Sequence, residues 1–190
     1  LKQFNANTIV CTPSFIKMYV SIPDFNFKNY PFLKQCIFIG EELPASTVKK
    51  LKQLFPDIKV INAYGPTEAT IVVTYIEITE AILKEHNNSL PIGYCMPKSE
   101  VVVLNKDAET GIGELGLVGQ NLSIGYFKDE AKTQLAFVSE NGKRTYKTGD
   151  VGYIKDGLIF YLGRNDSQVK LNGYRIELEE ISNKLLTHPL

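Results

Sequence analysis

The sequence predicts an α/β layer followed by a β-rich unit, on three observations. Over residues 1–80, short apolar, β-branched runs alternate with stretches whose apolar residues recur at helical spacing. That order suits a mostly parallel sheet, with ligand-holding loops at the carboxyl ends of its strands. From about Leu90 the texture changes to short strands punctuated by glycine. Asn141-Gly142 and Asp156-Gly157 are strong hairpin signals, because a type I′ turn needs positive φ at its centre. Together these point to a small antiparallel sheet or barrel after the α/β layer.

Thr8-Ile9-Val10-Cys11 is the first strand, closed by Pro13, and residues 15–20 carry a helical rhythm. Ile37-Phe38-Ile39 is a second buried strand. Pro44 opens a helix that places Val48, Leu51 and Leu54-Phe55 on one face and lysines on the other. Lys59-Val60-Ile61 is a third strand and residues 71–75 a fourth. Beyond Leu90, residues 100–104, 115–118 and 158–161 are the clearest strands. Residues 168–171 read as another strand, Asn172-Gly173 as a turn, and the following stretch as a helix. Leu178, Ile181 and Leu185 share one side of that helix, and Glu177, Glu179 and Glu180 favour its amino end. No internal repeat or low-complexity stretch interrupts the chain.

Composition excludes several classes. With 44% hydrophobic and 22% charged residues among 190, the chain has the make-up of a folded domain. Lys+Arg and Asp+Glu balance at 21 each, so neither a nucleic-acid-binding basic surface nor a polyacidic tail is present. Cys11, Cys36 and Cys95 are odd in number, widely spaced and without a C-x-x-C pair. That pattern argues against a disulfide framework or zinc site and suits reduced, buried thiols in a cytoplasmic protein. His86 and His188 are the only histidines, too few for a His-rich metal centre. No apolar run is long enough for a membrane span. The start at Leu1 without Met, and the stop at Thr187-His188-Pro189-Leu190 just after a forming helix, read as cuts in a longer protein.

Two motifs are set aside. Gly111-Ile112-Gly113-Glu114-Leu115-Gly116 spells G-x-G-x-x-G, but a polar loop precedes it and a strand follows, where a dinucleotide site needs a strand before and a helix after. The N-x-S triplets at Asn87, Asn121 and Asn165 would matter only in a secreted protein.

Three segments carry candidate chemistry. Asn62-Ala63-Tyr64-Gly65-Pro66-Thr67-Glu68 directly follows a strand and is either a tight Gly-Pro turn or a nucleotide-and-metal site. Tyr64 offers a flat face for a base, Gly65 close backbone approach, Thr67 a hydroxyl for a phosphate, and Glu68 the hard oxygen Mg²⁺ prefers. In Tyr146-Lys147-Thr148-Gly149-Asp150, the aspartate is either a turn residue or a carboxylate accepting both ribose hydroxyls. The third segment, residues 163–178, opens on Gly163-Arg164-Asn165-Asp166-Ser167-Gln168, in which Arg164 is suited to ribose or phosphate oxygens.

In this order and spacing, with Gly40-Glu41-Glu42-Leu43-Pro44 and Gly113-Glu114-Leu115 followed by Gly125-Tyr126, the segments resemble the conserved blocks of the acyl- and aminoacyl-adenylate-forming superfamily. The resemblance covers nearly the whole chain. Thr12-Pro13-Ser14-Phe15, residues 40–44, residues 69–74, Ile76-Glu77-Ile78-Thr79 and Leu90-Pro91-Ile92-Gly93 look most like the D-alanine–carrier protein ligases, which load D-alanine onto a carrier protein for teichoic-acid decoration. Two alternatives stand beside that: the adenylation domain of a nonribosomal peptide synthetase, and a non-catalytic relative that binds nucleotide or adenylate.

The resemblance implies a fold in which residues 1–88 form the βα portion and 89–165 the β-rich subdomain of a large adenylation domain, and 166–190 the hinge and start of a small α+β carboxy-terminal domain. It implies ATP and Mg²⁺ as cofactors, D-alanine as substrate, and a carrier protein with a phosphopantetheine arm as partner. Gly40, Glu41, Glu42 and Tyr64 would flank the adenine, and Asn62, Ala63, Gly65, Pro66 and Thr67 would lie along the nucleotide. Thr67 and Glu68 would be catalytic, with Glu68 holding Mg²⁺. Asp150 would bind the ribose, and Tyr161, Leu162, Gly163 and Arg164 would close over the nucleotide. Ile39, Ile71, Ile92 and Gly93 would line the amino-acid pocket, Asp166 would be the hinge, and the loop around Gly173 would swing in for thiolation. The phosphate loop and the catalytic lysine of such enzymes fall outside the chain, which is therefore expected to be inactive alone. Ile39 stands where these ligases commonly have Cys, and Ile124 where an Arg is usual.

Overall fold

The computed structural model describes residues 1–171 and 173–187. Its first sheet has five strands, β1 (Thr8–Cys11), β2 (Gln35–Phe38), β3 (Lys59–Tyr64), β4 (Thr74–Glu77) and β5 (Tyr94–Cys95), lying side by side in that order. β1, β2 and β3 run parallel, whereas β4 and β5 are antiparallel additions. The fourth strand thus starts later than the sequence suggests and reverses direction. Two consecutive residues, Thr70 and Ile71, adopt positive φ (57° and 73°) and break the extended run. The loop 65–73 is also too short for the crossover of a dozen or more residues that a parallel neighbour needs.

Helix α1 (Pro13–Tyr19) starts with proline in its first turn, and Thr12 caps it by accepting the Phe15 N–H. Helix α2 (Ala45–Leu54) has Pro44 just outside as its cap residue, and buries Thr47, Val48 and Leu51 while Lys49 and Lys50 face out. That buried face packs with Ile16, Cys36, Phe38 and Val60, and Phe25 meets Phe55 edge-on at 5.0 Å in the same core. Each such large apolar side chain contributes roughly 1.5–3 kcal/mol. A further short helix, α3 (Glu80–Glu85), is capped by Thr79 accepting the Ile82 N–H; at six residues it is too short to show periodicity.

The second sheet is antiparallel throughout. It comprises β6 (Ser99–Leu104), β7 (Gly113–Gly119), β8 (Phe137–Glu140), β9 (Lys143–Lys155) and β10 (Leu158–Arg164), ordered β10-β9-β7-β6 with β8 also on β9. Asn141 and Gly142 (φ 48° and 75°) turn β8 into β9, and Asp156 and Gly157 (φ 51° and 78°) turn β9 into β10. The G-x-G-x-x-G segment lies in the β6–β7 connection and the start of β7, where Asp107 Oδ1 accepts from the Thr110 N–H and hydroxyl. Helix α4 (Glu130–Ala136), capped by Asp129, precedes β8.

A hairpin of β11 (Gln168–Leu171) and β12 (Tyr174–Glu177) leads into α5 (Leu178–Leu186). The sequence reading passes straight from turn to helix and omits β12; Asn172 of that turn lies outside the described residues, as do His188, Pro189 and Leu190. Leu178, Ile181 and Leu185 are all exposed.

β10 joins the two sheets by strand alternation. Leu158 and Phe160 enter the first core, while Ile159 enters a second with Tyr64, Val73, Ile92, Leu115, Leu117 and Tyr146. Ile92 N–H donates to Ile159 O and Ile159 N–H to Gly93 O, at 2.9 and 3.0 Å. β5 belongs to the first sheet, which therefore reaches past residue 88. The expectation of buried thiols fails at Cys95, because the side chains of the two-residue β5 are both exposed. Burial pushes the Cys36 thiol up to about 12 and that of Cys11 up to about 11. Among the described residues, no helix is long and apolar enough to cross a membrane.

Gly93 makes the bridge possible. Its φ is +103°, and a Cβ there would sit 2.2 Å from the Tyr75 carbonyl carbon and oxygen. Gly93→Ala is expected to destabilise the chain by at least ~2 kcal/mol through backbone strain and overlap, read as a lowered midpoint in denaturant unfolding.

Candidate active site

The site is built from the end of β3 and the loop after it, Asp150 of β9 and Arg164 of β10 in the second sheet, and the β11–β12 hairpin. The loop folds back so tightly that a Cβ on Gly65 would lie 2.4 Å from Ile71 O. Glycine is thus needed here for the loop's own closure as well as for any ligand. The short 3₁₀ turn Thr67–Ala69 that follows turns Glu68 inward, where it is buried. Ser123 N–H donates to Glu68 O at 2.8 Å, and Asn121 Nδ2 donates to Ala69 O at 2.8 Å, which pins the turn to the segment after β7.

Asp150, on β9 and 2% exposed, is the centre of the site. Tyr64 at the end of β3 donates its hydroxyl to Oδ2 at 2.5 Å, and Arg164 at the end of β10 donates Nη1 to Oδ1 at 2.6 Å. The Asp150 N–H is taken by Thr148 Oγ1 at 2.9 Å. Burial, reinforced by the Asp150 charge, drives the Tyr64 hydroxyl well above the usual tyrosine range, so it remains a donor. Arg164 also grips Asp166 through Nε (2.7 Å) and Nη2 (2.5 Å). Burial opposes the guanidinium charge, but the two carboxylates outweigh it and raise Arg164 above its ordinary value. Tyr161 is pushed up to about 12, first by burial and then by Asp150.

Glu68 forms a second charged centre. Tyr126 donates its hydroxyl to Oε1 at 2.7 Å, and Arg175 Nη1 lies 3.1 Å from both carboxylate oxygens. Burial alone would raise Glu68, yet the Tyr126 bond and the Arg175 charge hold it below the ordinary glutamate value. Arg175 is itself steadied by Gln168 Oε1, which accepts from Nε at 2.8 Å. At the opposite rim, Glu41 accepts from Ser14 N–H and hydroxyl at 2.9 and 2.8 Å and from Gly173 N–H at 2.6 Å.

These groups enclose a cleft of about 160 Å³. Of the residues singled out in the sequence, Gly40, Tyr64, Gly65, Pro66, Thr67, Asp150, Arg164 and Gly173 line it, and Glu68 meets it through Arg175. Asn62 does not: it is buried and donates to Pro91 O at 2.8 Å, a structural tie between β3 and the loop before β5. Ala63 is buried within β3, and Ile39, Glu42, Tyr161, Leu162 and Gly163 lie outside the lining. Ile71 is 61% exposed, whereas Ile92 is buried beside Gly93 in the inter-sheet bridge. Thr148, Gln168, Lys170, Tyr174 and Arg175 line the cleft without having been singled out. Residues 168–175 fall inside the Gly163–Leu178 segment, and period-two alternation from Gln168 would have aligned Gln168 with Lys170.

Among the described residues no cluster of three or more metal-ligating side chains exists. Glu68 nonetheless fits Mg²⁺, which commonly takes one or two carboxylates and completes its shell with substrate phosphates and water. Its buried carboxylate already accommodates positive charge, that of Arg175.

An α/β sheet, an antiparallel sheet and a hairpin converging on one cleft define the adenylation-domain fold. Similar solved structures include an NRPS protein containing adenylation and PCP domains (TM-score 0.86, 29% identity, 98% of this chain and 39% of that one). Another is the Vibrio cholerae adenylation domain AlmE in complex with glycyl-adenosine-5'-phosphate (TM-score 0.81, 30% identity, 95% of this chain and 35% of that one). Residues 1–127 match the AMP-binding enzyme family, and the chain belongs to that family. It is 45% identical over 189 residues to the D-alanine--D-alanyl carrier protein ligase of Bacillus licheniformis, covering 97% of this chain and 38% of the relative. With the ligase of the same name from Staphylococcus epidermidis the identity is 48% over 185 residues, covering 97% and 37%. The chain therefore spans under two fifths of the length of these curated relatives.

Asp166 yields a pH prediction. Partial burial disfavours its charge, but the bonds from Arg164 outweigh this and hold its carboxyl below the ordinary 3.8. Its contribution to stability is then complete above the unfolded value and disappears as pH falls through the lower folded value. Asp166→Asn should flatten the pH dependence of stability below about pH 4, measured by urea unfolding between neutral and acid pH.

Proposed function

We propose that the chain is the nucleotide-gripping section of an AMP-forming ligase that activates D-alanine with ATP to D-alanyl-AMP and pyrophosphate. The D-alanyl group then passes to the phosphopantetheine thiol of a carrier protein. The observation carrying this reading is the convergence of Tyr64, Asp150, Arg164 and Glu68 around one cleft. The 45% and 48% identities to D-alanine--D-alanyl carrier protein ligases point to this substrate over that of a peptide synthetase.

The physical obstacle is that a carboxylate must attack an α-phosphate that also carries negative charge. Mg²⁺ held by Glu68 would supply the charge neutralisation. The chain's own residues orient the nucleotide so that the attacking oxygen and the leaving pyrophosphate are aligned. The faces of Gly40, Glu41, Glu42 and Tyr64 hold the adenine. Of the run 62–67, Tyr64, Gly65, Pro66 and Thr67 line the cleft and follow the nucleotide, with the Thr67 hydroxyl assigned to a phosphate, while Asn62 and Ala63 support them from β3. Asp150 takes the ribose hydroxyls on the lone pairs left by Tyr64 and Arg164, since an ionised carboxylate has about four acceptor sites. Tyr161, Leu162 and Gly163 close over the nucleotide with Arg164. Ile39, Ile71 and the backbone at Ile92 and Gly93 are assigned to the amino-acid pocket, Asp166 to the hinge, and the Gly173 loop to the thiolation state.

An amino-acid panel in ATP–pyrophosphate exchange with the complete protein is expected to give D-alanine as the one strong signal; a stronger response to another amino acid overturns the substrate assignment. Asp150→Ala should raise the KM for ATP at least ~10-fold, a loss of about 1.4 kcal/mol, and an unchanged KM removes the ribose role. The isolated 190-residue chain, which spans 38% of its Bacillus licheniformis relative, should show no exchange.

A further inference from the structure

Arg175 occupies the carboxylate that the proposed reading assigns to a divalent cation. Its Nη1 lies 3.1 Å from each oxygen of Glu68, and Tyr126 takes a further lone pair on Oε1 at 2.7 Å. The guanidinium is not a loose surface charge. Its Nε is fixed by the buried Gln168 at 2.8 Å, and Glu177 on the same strand stands 3.6 Å away. The hairpin is anchored at its tip as well, where Gly173 N–H donates to Glu41 at 2.6 Å. Two carboxylates beside the cleft are therefore held by the hairpin in this arrangement, Glu68 through a charged group and Glu41 through a backbone donor.

Mg²⁺ sits about 2.0–2.1 Å from a carboxylate oxygen. Placed on the face of Glu68 that Arg175 Nη1 occupies, 3.1 Å from both oxygens, it would meet the guanidinium at short range, where two positive centres repel. We infer that Arg175 is a positioning residue that takes the place of the divalent cation on Glu68, so that docking of the β11–β12 hairpin and metal occupancy of Glu68 exclude each other. This rests on the reading of Glu68 as a metal ligand. The hairpin then registers whether the metal has left: with the cation present Arg175 is displaced, and once it departs Arg175 restores charge balance at a buried carboxylate that would otherwise be unpaired.

The test uses the complete protein and two readouts other than turnover. Mn²⁺ affinity in the presence of α,β-methylene-ATP is measured by the free-Mn²⁺ magnetic resonance signal, and hairpin position by the distance between spin labels on Cys95 and an Asn183→Cys substitution. Removing the competitor in Arg175→Gln should tighten Mn²⁺ binding about 3–10-fold and lengthen or broaden the metal-free label distance. Arg175→Lys, which keeps the charge, should move both values back toward wild type. In wild type, Mg²⁺ with the analogue should shift the label distance, and in Glu68→Gln it should not. Equal Mn²⁺ affinity in wild type and Arg175→Gln, or a wild-type label distance that ignores metal while the analogue is bound, overturns the proposal. Equilibrium dialysis of the analogue separates the two readings: failure of wild type to bind it defeats the nucleotide assignment, and binding with no effect of Arg175 defeats this inference alone.

Discussion

The buried carboxylate of Asp150 is the constraint on which the rest of the site depends. Removed almost wholly from water, it needs charged and hydrogen-bonding partners, and it draws them from two strands other than its own. Tyr64 closes the end of β3, Arg164 the end of β10, and Asp150 itself lies in the middle of β9. The first and second sheets are thereby locked together at the mouth of the cleft. Because Arg164 spends its remaining nitrogens on Asp166, the same ion pair fixes the segment that leads into the hairpin.

A second link between the sheets is apolar. β10 sends alternate side chains into two different cores, and the Gly93–Ile159 bridge holds it against the loop before β5. That bridge requires a residue with no side chain at 93, because the Tyr75 carbonyl occupies the space. The polar link at Asp150 and the link at Ile159 both join the first sheet to the second, so the cleft geometry is set by how the two sheets meet. Its loops gain precision from that packing: the strained pair Thr70 and Ile71 persists because Gly65 and the 121–123 segment hold both sides of the turn.

The charges around the cleft are concentrated locally although the chain as a whole is neutral. Arg164, Lys170 and Arg175 line the cleft, and the carboxylates among them are matched in pairs, Asp150 with Arg164 and Glu68 with Arg175. Net charge reports nothing of this, since it sums over a surface whose local fields are opposite in sign.

Local chemistry determined much by itself. The helix start at Pro44, the two positive-φ turns at Asn141-Gly142 and Asp156-Gly157, and the strands beginning at Thr8 and Lys59 follow from residue type and spacing, because these preferences act within a few residues. Membership of the adenylate-forming class was legible through resemblance, in the order and spacing of the Tyr64–Glu68, Asp150 and Arg164 segments. The reversal at β4, the separate strand β12 and the structural tie of Asn62 to Pro91 were not legible, since each depends on which segment lies alongside. The roles of Arg175, Gln168 and Tyr126 were equally hidden. Their partner, Glu68, lies 107, 100 and 58 residues away in sequence for Arg175, Gln168 (through Arg175) and Tyr126, and only the closing of the sheets brings a buried carboxylate and its cation within 3.1 Å. Sequence fixes what each side chain can offer; the fold decides which of those offers meet, because burial and charge pairing depend on distances that the chain sets only when it is packed.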